Sequence, residues 1–185
     1  MRKVIAAINM SLDGFCDHDL LLPDEVVHDH YTALLKSGGV ILYGSTTFRL
    51  MKYWQEILEK PSAEPSMNSF AQAIDQIPKL VFSHKLQDTG WATATLAQQT
   101  LEATVTDLKQ QSGKDILVGS RSLILQLMQL NLVDEYQICV HPLLVGGGLP
   151  LFEHKNDRKV FQLVNTKTFS SEDIILYYKM REQAS

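Results

Sequence analysis

The sequence predicts an α/β fold with a mostly parallel central sheet, helices on both faces, and an antiparallel hairpin at the C-terminal edge. Apolar runs of strand length alternate with amphipathic helical segments through most of the 185 residues. These runs are almost continuously apolar, as expected for strands that are covered on both faces. The last two segments instead alternate polar and apolar residues around a polar turn, which is typical of a hairpin.

The first half of the chain begins with a strand, a loop and a helix. Val4–Met10 is the first strand, and Ser11–Pro23 is a loop because it contains Asp-Gly and Leu-Pro. Asp24–Lys36 is a helix that acidic residues open and a pair of glycines ends. A second helix starts near Thr46, and Glu56–Asn68, which contains two prolines, is predicted to be a surface excursion. Three short apolar runs predict further strands at Val40–Tyr43, Lys79–Ser83 and Trp91–Thr95.

The second half is more regular. Two amphipathic segments predict helices at Leu101–Ser112 and Ser120–Leu130. Four segments predict strands, the last two of which form the hairpin: Asp115–Val118, Glu135–His141, Val160–Thr168 and Ile174–Lys179. Since no linker, repeat or low-complexity segment interrupts the sequence, residues 1–185 are predicted to form a single domain.

Composition and charge exclude several classes of protein. With 17 Lys and Arg against 21 Asp and Glu, the net charge is −4, and no basic stripe suits nucleic acid. No apolar run reaches the roughly 18 residues of a membrane span, and polar residues interrupt the N-terminal apolar run, which argues against a signal peptide. Two cysteines suit a reducing compartment. We therefore expect a cytoplasmic protein without nucleic-acid or membrane partners.

The sequence offers no obvious metal site. Cys16 and Cys139 fit no paired ligand spacing. His28 and His30 are two positions apart, so they do not share one face of the predicted helix. We therefore expect no bound metal, and a solvated helix face around the two histidines.

Two turns share a pattern that suits an anion. In each, a buried strand ends in glycine and hydroxyl residues open a helix: Gly44-Ser45-Thr46-Thr47 and Gly119-Ser120-Arg121-Ser122. A helix N-terminus presents unpaired N–H groups, and a preceding glycine lets a phosphate come close. In a parallel sheet both turns lie at the carboxyl ends of the strands, where open α/β folds bind ligands. Two such turns suit a dinucleotide, and helix capping by Thr46 or Ser120 is the alternative.

A third strand end adds polar groups near the same edge. Ser83, His84 and Lys85 follow the third predicted strand and offer hydroxyl, imidazole and ammonium groups. If that strand lies beside the Gly44 turn, these groups suit a further phosphate, such as the 2′-phosphate of NADP. A solvated polar turn is the alternative.

Two acidic residues are candidate proton donors. Asp13 lies in the first loop, and Glu25 lies at the start of the first helix, where helix termini favour acids in any case. The run Gly146-Gly147-Gly148 suits either close contact with a ligand or a flexible turn, and the sequence does not separate these two roles.

Six segments in order resemble the dihydrofolate reductase-like superfamily, and specifically the reductase (RibD C-terminal) domain of riboflavin biosynthesis. They include the first strand, its loop and both glycine turns, and they span nearly the whole chain. The segments are Ile8–Phe15, Ile41–Phe48, Pro78–Ser83, Asp115–Leu123, Leu132–Glu135 and Pro142–Phe152. Each is a weak signal alone, whereas six in the right order are fairly specific.

The resemblance implies the three-layer fold of the superfamily, with NADPH as hydride donor, a small-molecule substrate and a homodimer. It implies phosphate contacts at the two glycine turns, carried by Gly44, Ser45, Thr46 and Thr47 and by Gly119, Ser120, Arg121, Ser122 and Leu123. It implies that Ser83 and His84 lie near the adenosine phosphate, and that the nicotinamide borders the first strand around Ala7.

The chain departs from the family pattern at several of these positions. Ser45 and His84 stand where the family often has Arg, and Ser120 replaces the second glycine of its turn. Neither Ser nor a neutral His reproduces the bidentate phosphate contact of an Arg. Val118 stands where riboflavin-pathway reductases tend to carry a substrate-binding Glu, and Glu25 is nearest to the acid that folate reductases place after Leu-Pro.

Two functional hypotheses follow. The first is an NADPH-dependent reductase that transfers hydride to a small heterocyclic or carbonyl-like substrate, with Asp13 or Glu25 as proton source. It resembles 5-amino-6-(5-phosphoribosylamino)uracil reductase or dihydrofolate reductase. The second is a non-catalytic nucleotide-binding or interaction module with a degraded cofactor site.

Overall fold

The computed structural model describes residues 1–21, 23–152 and 158–181. Its one sheet has eight strands: β1 (Val4–Ser11), β2 (Gly38–Gly44), β3 (Lys79–Phe82), β4 (Ala94–Leu96), β5 (Asp115–Val118), β6 (Glu135–His141), β7 (Phe161–Thr168) and β8 (Ile174–Met180). The helices within the described ranges are α1 (Glu25–Ser37), α2 (Ser45–Met51), α3 (Tyr53–Glu59), α4 (Pro65–Gln76), α5 (Leu101–Gln110) and α6 (Arg121–Gln129). None of them has the length and apolar character needed to cross a membrane.

The sheet confirms the predicted topology. Its strand order is β4-β3-β2-β5-β1-β6-β8-β7. Every neighbouring pair from β4 to β6 is parallel, whereas β8 pairs antiparallel with both β6 and β7. The predicted α/β sheet with an antiparallel C-terminal edge is therefore correct.

Two apolar cores, one on each face of the sheet, explain the nearly continuous apolar runs of the central strands. In β5, Ile116 packs into the core that α5 and α6 cover, and the next residue, Leu117, packs into the core beneath α2, α3 and α4. Both side chains are buried. Alternate residues of a strand point to opposite faces, so a strand that is covered twice is apolar at every position.

The predicted surface excursion at Glu56–Asn68 is wrong, because most of this stretch belongs to helices α3 and α4. Pro65 is the first residue of α4, a position where proline loses no helical hydrogen bond and its fixed φ suits the helix. Trp54 and Phe70 join the two helices, with ring centroids 4.5 Å apart. Pro65 therefore marks the start of a helix, whereas Pro61 lies in the short connection between α3 and α4.

The fourth strand begins later than predicted. Trp91 was expected to open it, but Trp91 lies in a turn in which its carbonyl accepts from the N–H of Ala94, the first residue of β4. The Trp91 side chain is buried in the core below α2. From the local sequence alone, a buried aromatic residue in a turn cannot be distinguished from one in a strand.

The predicted solvated helix face around His28 and His30 is also wrong. The His28 ring lies 5.6 Å from Trp54, and the His30 ring lies 5.8 Å from Phe169. Both histidines are partly buried because α1 is covered on one flank by α3 and α4 and on the other by the hairpin.

Lys79, at the start of β3, is a buried cation with a complete set of partners. Its Nζ donates to the carbonyls of Asp75 and Ile77, at 3.1 and 3.0 Å, and to the Thr93 hydroxyl at 2.6 Å. It also lies 4.2 Å from the centre of the Trp91 ring. Burial lowers its pKa to about 8. This side chain ties α4 and the turn before β4 to the edge of the sheet.

We predict that Lys79→Met lowers the free energy of unfolding by about 3 kcal/mol at neutral pH, because it leaves buried carbonyls without a donor. The unfolded chain keeps the lysine proton to about pH 10, whereas the folded chain releases it from about pH 8. Wild-type stability should therefore rise across that window relative to Lys79→Met. Urea unfolding from pH 7 to 10 measures both effects. Lys60→Met, at an exposed position, is the control, and an equal loss in the two variants would refute the role of Lys79.

Candidate functional site

The carboxyl ends of the parallel strands form a crevice between β5 and β1. The crossover from β1 through α1 leads toward the β4 edge of the sheet, whereas the crossover from β5 through α6 leads to β6, on the other side of β1. In open α/β sheets, ligands bind outside the carboxyl ends of the strands at such a reversal.

The crevice is open because β5 is short. β5 pairs with β1 only from Val4 to Ala6, whereas β6 accompanies β1 as far as Ser11. From Ala7 onward, the side of β1 that faces β5 has no strand partner within the described residues. The Ser11 N–H and C=O already bind Phe15 and Gly14. The unpaired backbone groups that precede Ser11, from Ala7 onward, are therefore the ones available to a planar ligand that carries an amide.

The two glycine turns lie side by side at this edge, because β2 pairs directly with β5. The N–H of Gly44 donates to the Ser120 hydroxyl at 2.9 Å, and Ser120 is buried. A Cβ on Gly44 would lie 3.2 Å from the Ser122 hydroxyl, and one on Gly119 would lie 3.1 Å from the Tyr43 ring. Both positions therefore have little room for a side chain, which explains the two glycines.

The hydroxyls of these turns do not cap the helices. Gly44 and Ser120 are the N-cap residues of α2 and α6, and in neither case does a described side chain cap the helix. Thr46 is exposed within the first turn of α2. The capping alternative therefore fails for Thr46 and Ser120, and the N–H groups of both first turns remain available to an anion.

The third strand end lies beside the first glycine turn, as the phosphate hypothesis requires. In the pairing of β2 with β3, Gly44 lies opposite Phe82, so Ser83 and His84 follow directly at the same edge. The Ser83 hydroxyl accepts from the N–H groups of Lys85 and Leu86, both at 3.1 Å, which fixes the turn. His84 and Lys85 are exposed.

The side chains at the start of α6 are less accessible to a ligand than the sequence suggests. The Nε of Arg121 donates to the carbonyl of Pro150 at 2.6 Å, which holds this guanidinium against the glycine-rich segment. Leu123 is buried in the core, so only its backbone can face a ligand. Ser122 is exposed at the edge.

Asp13 binds the glycine-rich segment and has a structural role. Its carboxylate accepts from the N–H groups of Val145 and Gly146, at 3.2 and 2.8 Å, and from the Ser11 hydroxyl at 2.6 Å. The Ser11 hydrogen bond, together with these backbone bonds, lowers the pKa of Asp13. The Gly146-Gly147-Gly148 run thus forms a turn around a carboxylate.

Glu25 lies elsewhere, at the first position of α1, where it is exposed. Asp24 is the N-cap of this helix and accepts from the N–H of Val27 at 3.0 Å. Leu22, which belongs to the Leu-Pro-Asp-Glu stretch, lies outside the described residues. Asp13 is therefore held by the glycine-rich segment, and no contact among the described residues joins it to Glu25.

A polar cluster beneath α1 was not found from the sequence. His141 and Cys139 lie on one face of β6, and Asp173 lies at the end of the β7–β8 turn, with its Oδ1 2.6 Å from the His141 Nδ1. Nearby, the Tyr31 hydroxyl donates to Asn9 of β1 at 2.8 Å. Burial lowers the pKa of His141 and raises that of Cys139 to about 12.

One feature of the sequence indicates part of this cluster. Cys139 and His141 are two residues apart in a predicted strand, so they share a face. Asp173 lies in a distant turn, and only the pairing of β8 with β6 brings it to His141. A local pattern therefore cannot show that the three residues meet.

Comparisons with known proteins agree with this fold. The family profile described as the RibD C-terminal domain matches residues 2–176. The uncharacterized protein YyaP of Bacillus subtilis (strain 168) is 32% identical over 181 residues, which are 96% of this chain and 94% of YyaP.

Two solved structures are similar to this chain. A putative riboflavin biosynthesis protein from Shewanella sp. PV-4 has a TM-score of 0.72 and 19% identity, with 97% of this chain and 99% of that chain covered. Dihydrofolate reductase from Enterococcus faecalis, complexed with NADP(H), has a TM-score of 0.63 and 12% identity, with 97% of each chain covered.

We predict that Ser120→Ala lowers the free energy of unfolding by about 1–2 kcal/mol, because the buried N–H of Gly44 loses its acceptor. Ser122→Ala, at an exposed position in the same turn, should change stability by less than about 0.5 kcal/mol. Urea unfolding monitored by circular dichroism measures the difference. Equal effects of the two substitutions would show that the Ser120 bond does not hold the two turns together.

Proposed function

Because the chain belongs to the RibD C-terminal domain family, we propose that it is a reductase that binds NADPH in the crevice and reduces a small heterocyclic or carbonyl-like substrate. The observation that carries this proposal is the meeting of two uncapped helix N-termini with the unpaired side of β1 at one edge of the sheet. The similar fold of a dihydrofolate reductase complexed with NADP(H) supports it.

The two glycine turns are the proposed pyrophosphate site. The N–H groups of the first turns of α2 and α6 would donate to the phosphate oxygens, and the hydroxyls of Ser45, Thr46, Thr47 and Ser122 would add donors. Gly44 and Gly119 would contribute indirectly, because they let Ser122 and the Tyr43 ring lie close to the backbone of the two turns. Ser120 would act indirectly, since its hydroxyl holds the Gly44 N–H. Arg121 would add positive charge at the same helix start.

The adenosine end of the cofactor would lie at the end of β3. Ser83 and His84 would face the adenosine phosphate, with the ammonium group of Lys85 beside them. His84 and Lys85 are exposed, so a phosphate reaches them without a rearrangement of the core. The ammonium group of Lys85 and the imidazole of His84 would then distinguish NADPH from NADH.

The nicotinamide would lie against Ala7, where the β5-facing side of β1 is unpaired. The bound cofactor supplies the hydride. The backbone of β1 would orient the carboxamide, and a side chain of this chain would provide the proton that the reduced substrate takes up.

Glu25 is the better of the two candidate proton donors. The oxygens of Asp13 already accept from Ser11, Val145 and Gly146, and these hydrogen bonds lower its pKa and so disfavour the protonated form that a donor needs. Glu25 is exposed at the start of α1. Asp13 would then support the reaction by holding the first loop against the glycine-rich segment.

The alternative is a non-catalytic module with a degraded cofactor site. Ser45 and His84 favour it, since neither offers the bidentate phosphate contact of an Arg. A module of this kind would bind NADPH only after arginines are restored at positions 45 and 84. A reductase should bind it without that change.

The proposed partner for assembly is a second copy of this chain. β7 is an edge strand whose residues from Gln162 to Thr168 are exposed, and it presents Leu163 and Val164, 49% and 52% exposed. A long exposed edge strand that carries apolar residues tends to pair with another chain. A homodimer that covers this strand would protect its unpaired edge from pairing with other chains.

We predict that the purified protein binds NADPH with a dissociation constant below about 1 mM and enhances the nicotinamide fluorescence. NADPH should bind more tightly than NADH if Ser83, His84 and Lys85 hold the additional phosphate. Fluorescence titration with both cofactors measures this. Absence of binding at millimolar concentrations would overturn the reductase proposal, and binding only after Ser45→Arg and His84→Arg would favour the degraded module.

We predict that Thr46→Glu weakens NADPH binding by about tenfold or more, because a carboxylate then lies beside the cofactor phosphates. An acidic residue in the first turn of a helix is favourable, so the variant should fold. Thr46→Gln has nearly the same size without the charge and should bind nearly as the wild type does. If both variants bind NADPH equally well, the phosphates do not lie at α2.

We predict that light scattering gives a mass of twice 20.9 kDa, the mass of one chain. Val164→Lys places a charge on the exposed edge strand and should shift the protein toward the monomer. A wild-type mass of 20.9 kDa would refute the homodimer.

A further inference from the structure

Cys139, His141 and Asp173 form a buried group of three possible metal ligands. One ligand atom from each lies within 4.8 Å of the other two. The side chains come from residues that are 0%, 3% and 5% exposed. A thiol, an imidazole and a carboxylate are the ligand types that Zn²⁺ takes in proteins. The group lies on β6 and at the start of β8, so β1 separates it from the crevice at the end of β5.

The polar atoms of this group are only partly satisfied within the described part of the chain. The Asp173 Oδ1 lies in an ion-pair contact 2.6 Å from the His141 Nδ1, whereas the His141 Nε2 has no hydrogen-bond partner there. Leaving a buried polar group unpaired is unfavourable, because it loses its hydrogen bonds to water without gaining others. A buried carboxylate also needs a positive charge nearby. A Zn²⁺ ion bound to the three side chains would supply that charge and would replace the direct His141–Asp173 contact, whose two atoms would move from 2.6 Å to roughly 3.3 Å apart, as two ligands of one tetrahedral ion are.

We propose that Cys139, His141 and Asp173 bind a Zn²⁺ ion. The thiol of Cys139 would lose its proton to solvent on binding, so that one thiolate and one carboxylate balance the two charges of the metal. Three protein ligands leave one coordination position for water or a substrate group. The sequence predicts no metal site, because Asp173 is distant in the chain from Cys139 and His141.

The scaffold holds the three ligands on rigid elements. Cys139 and His141 alternate along β6, so both side chains point to the same face. Asp173 is fixed because its carbonyl accepts from the N–H of Phe169 at 2.9 Å and because Ile174, the next residue, pairs with Val140. Ligands on paired strands keep their geometry better than ligands on loops.

The surroundings are apolar, which would strengthen metal binding and slow its loss. Val27 of α1 and Ile175 of β8 pack around Cys139, and both are buried. A metal would therefore enter while the chain folds or when α1 moves away from the sheet. Adding metal to the folded protein is then a poor test, and the metal should be present during expression.

The experiment is expression in minimal medium that contains Zn²⁺ or Co²⁺, followed by desalting and elemental analysis. We expect about one metal ion per chain. The Co²⁺ protein should show a thiolate-to-cobalt charge-transfer band in the near ultraviolet and strong tetrahedral bands in the visible. Cys139→Ser should abolish the charge-transfer band, and Asp173→Asn should lower metal retention by about tenfold or more.

Cys16→Ser is the matched control, because Cys16 is the other free thiol and does not belong to the group. It should keep the metal and the spectrum. Wild-type protein without bound cobalt, or a charge-transfer band that survives in Cys139→Ser and disappears in Cys16→Ser, would overturn the proposal. If the Cys139 variant fails to fold, the wild-type spectrum and metal content decide. The experiment uses no NADPH, so its outcome is independent of the proposed reductase function.

Discussion

The pairing of β5 with both β1 and β2 is the interaction on which the carboxyl edge of the sheet depends. It brings Gly44 and Gly119 together, and the bond from the Gly44 N–H to Ser120 fixes the starts of α2 and α6 side by side. Because β5 ends at Val118, the same pairing leaves one side of β1 open from Ala7 onward. The short strand β5 thus places the N-termini of α2 and α6 next to the unpaired stretch of β1.

The first loop and the glycine-rich segment form one connected unit at this edge. The N–H of Leu12 donates to the Leu143 carbonyl, and the N–H of Leu151 donates to the Gly14 carbonyl. Asp13 joins the two segments through backbone N–H groups, and Arg121 fixes Pro150 to the start of α6. Movement of the first loop is therefore coupled to one of the two helix N-termini, since both contact the same segment.

Local patterns were sufficient to predict most of the fold. Apolar period and glycine position gave the sheet and the hairpin, and they placed Gly44 and Gly119 at one edge, because parallel strands leave no other arrangement. They failed at two residues that are compatible with more than one structure. Pro65 belongs to a predicted surface segment but is the first residue of α4, and Trp91 belongs to a predicted strand but fills the core from a turn. The meeting of Asp173 with His141 depends on the pairing of β8 with β6, which a single sequence does not encode locally. The roles of the crevice residues remain predictions, since they depend on a ligand.

The central position of β1 has a consequence for how the chain is made. β1 is synthesised before its sheet partners β5 and β6, so Ile5 can pair with Glu135 only after most of the described chain has been made. Contacts this distant in sequence form slowly, and an apolar strand without partners is prone to aggregate in the meantime. Until β5 and β6 have been made, the central strand of the sheet therefore remains unpaired.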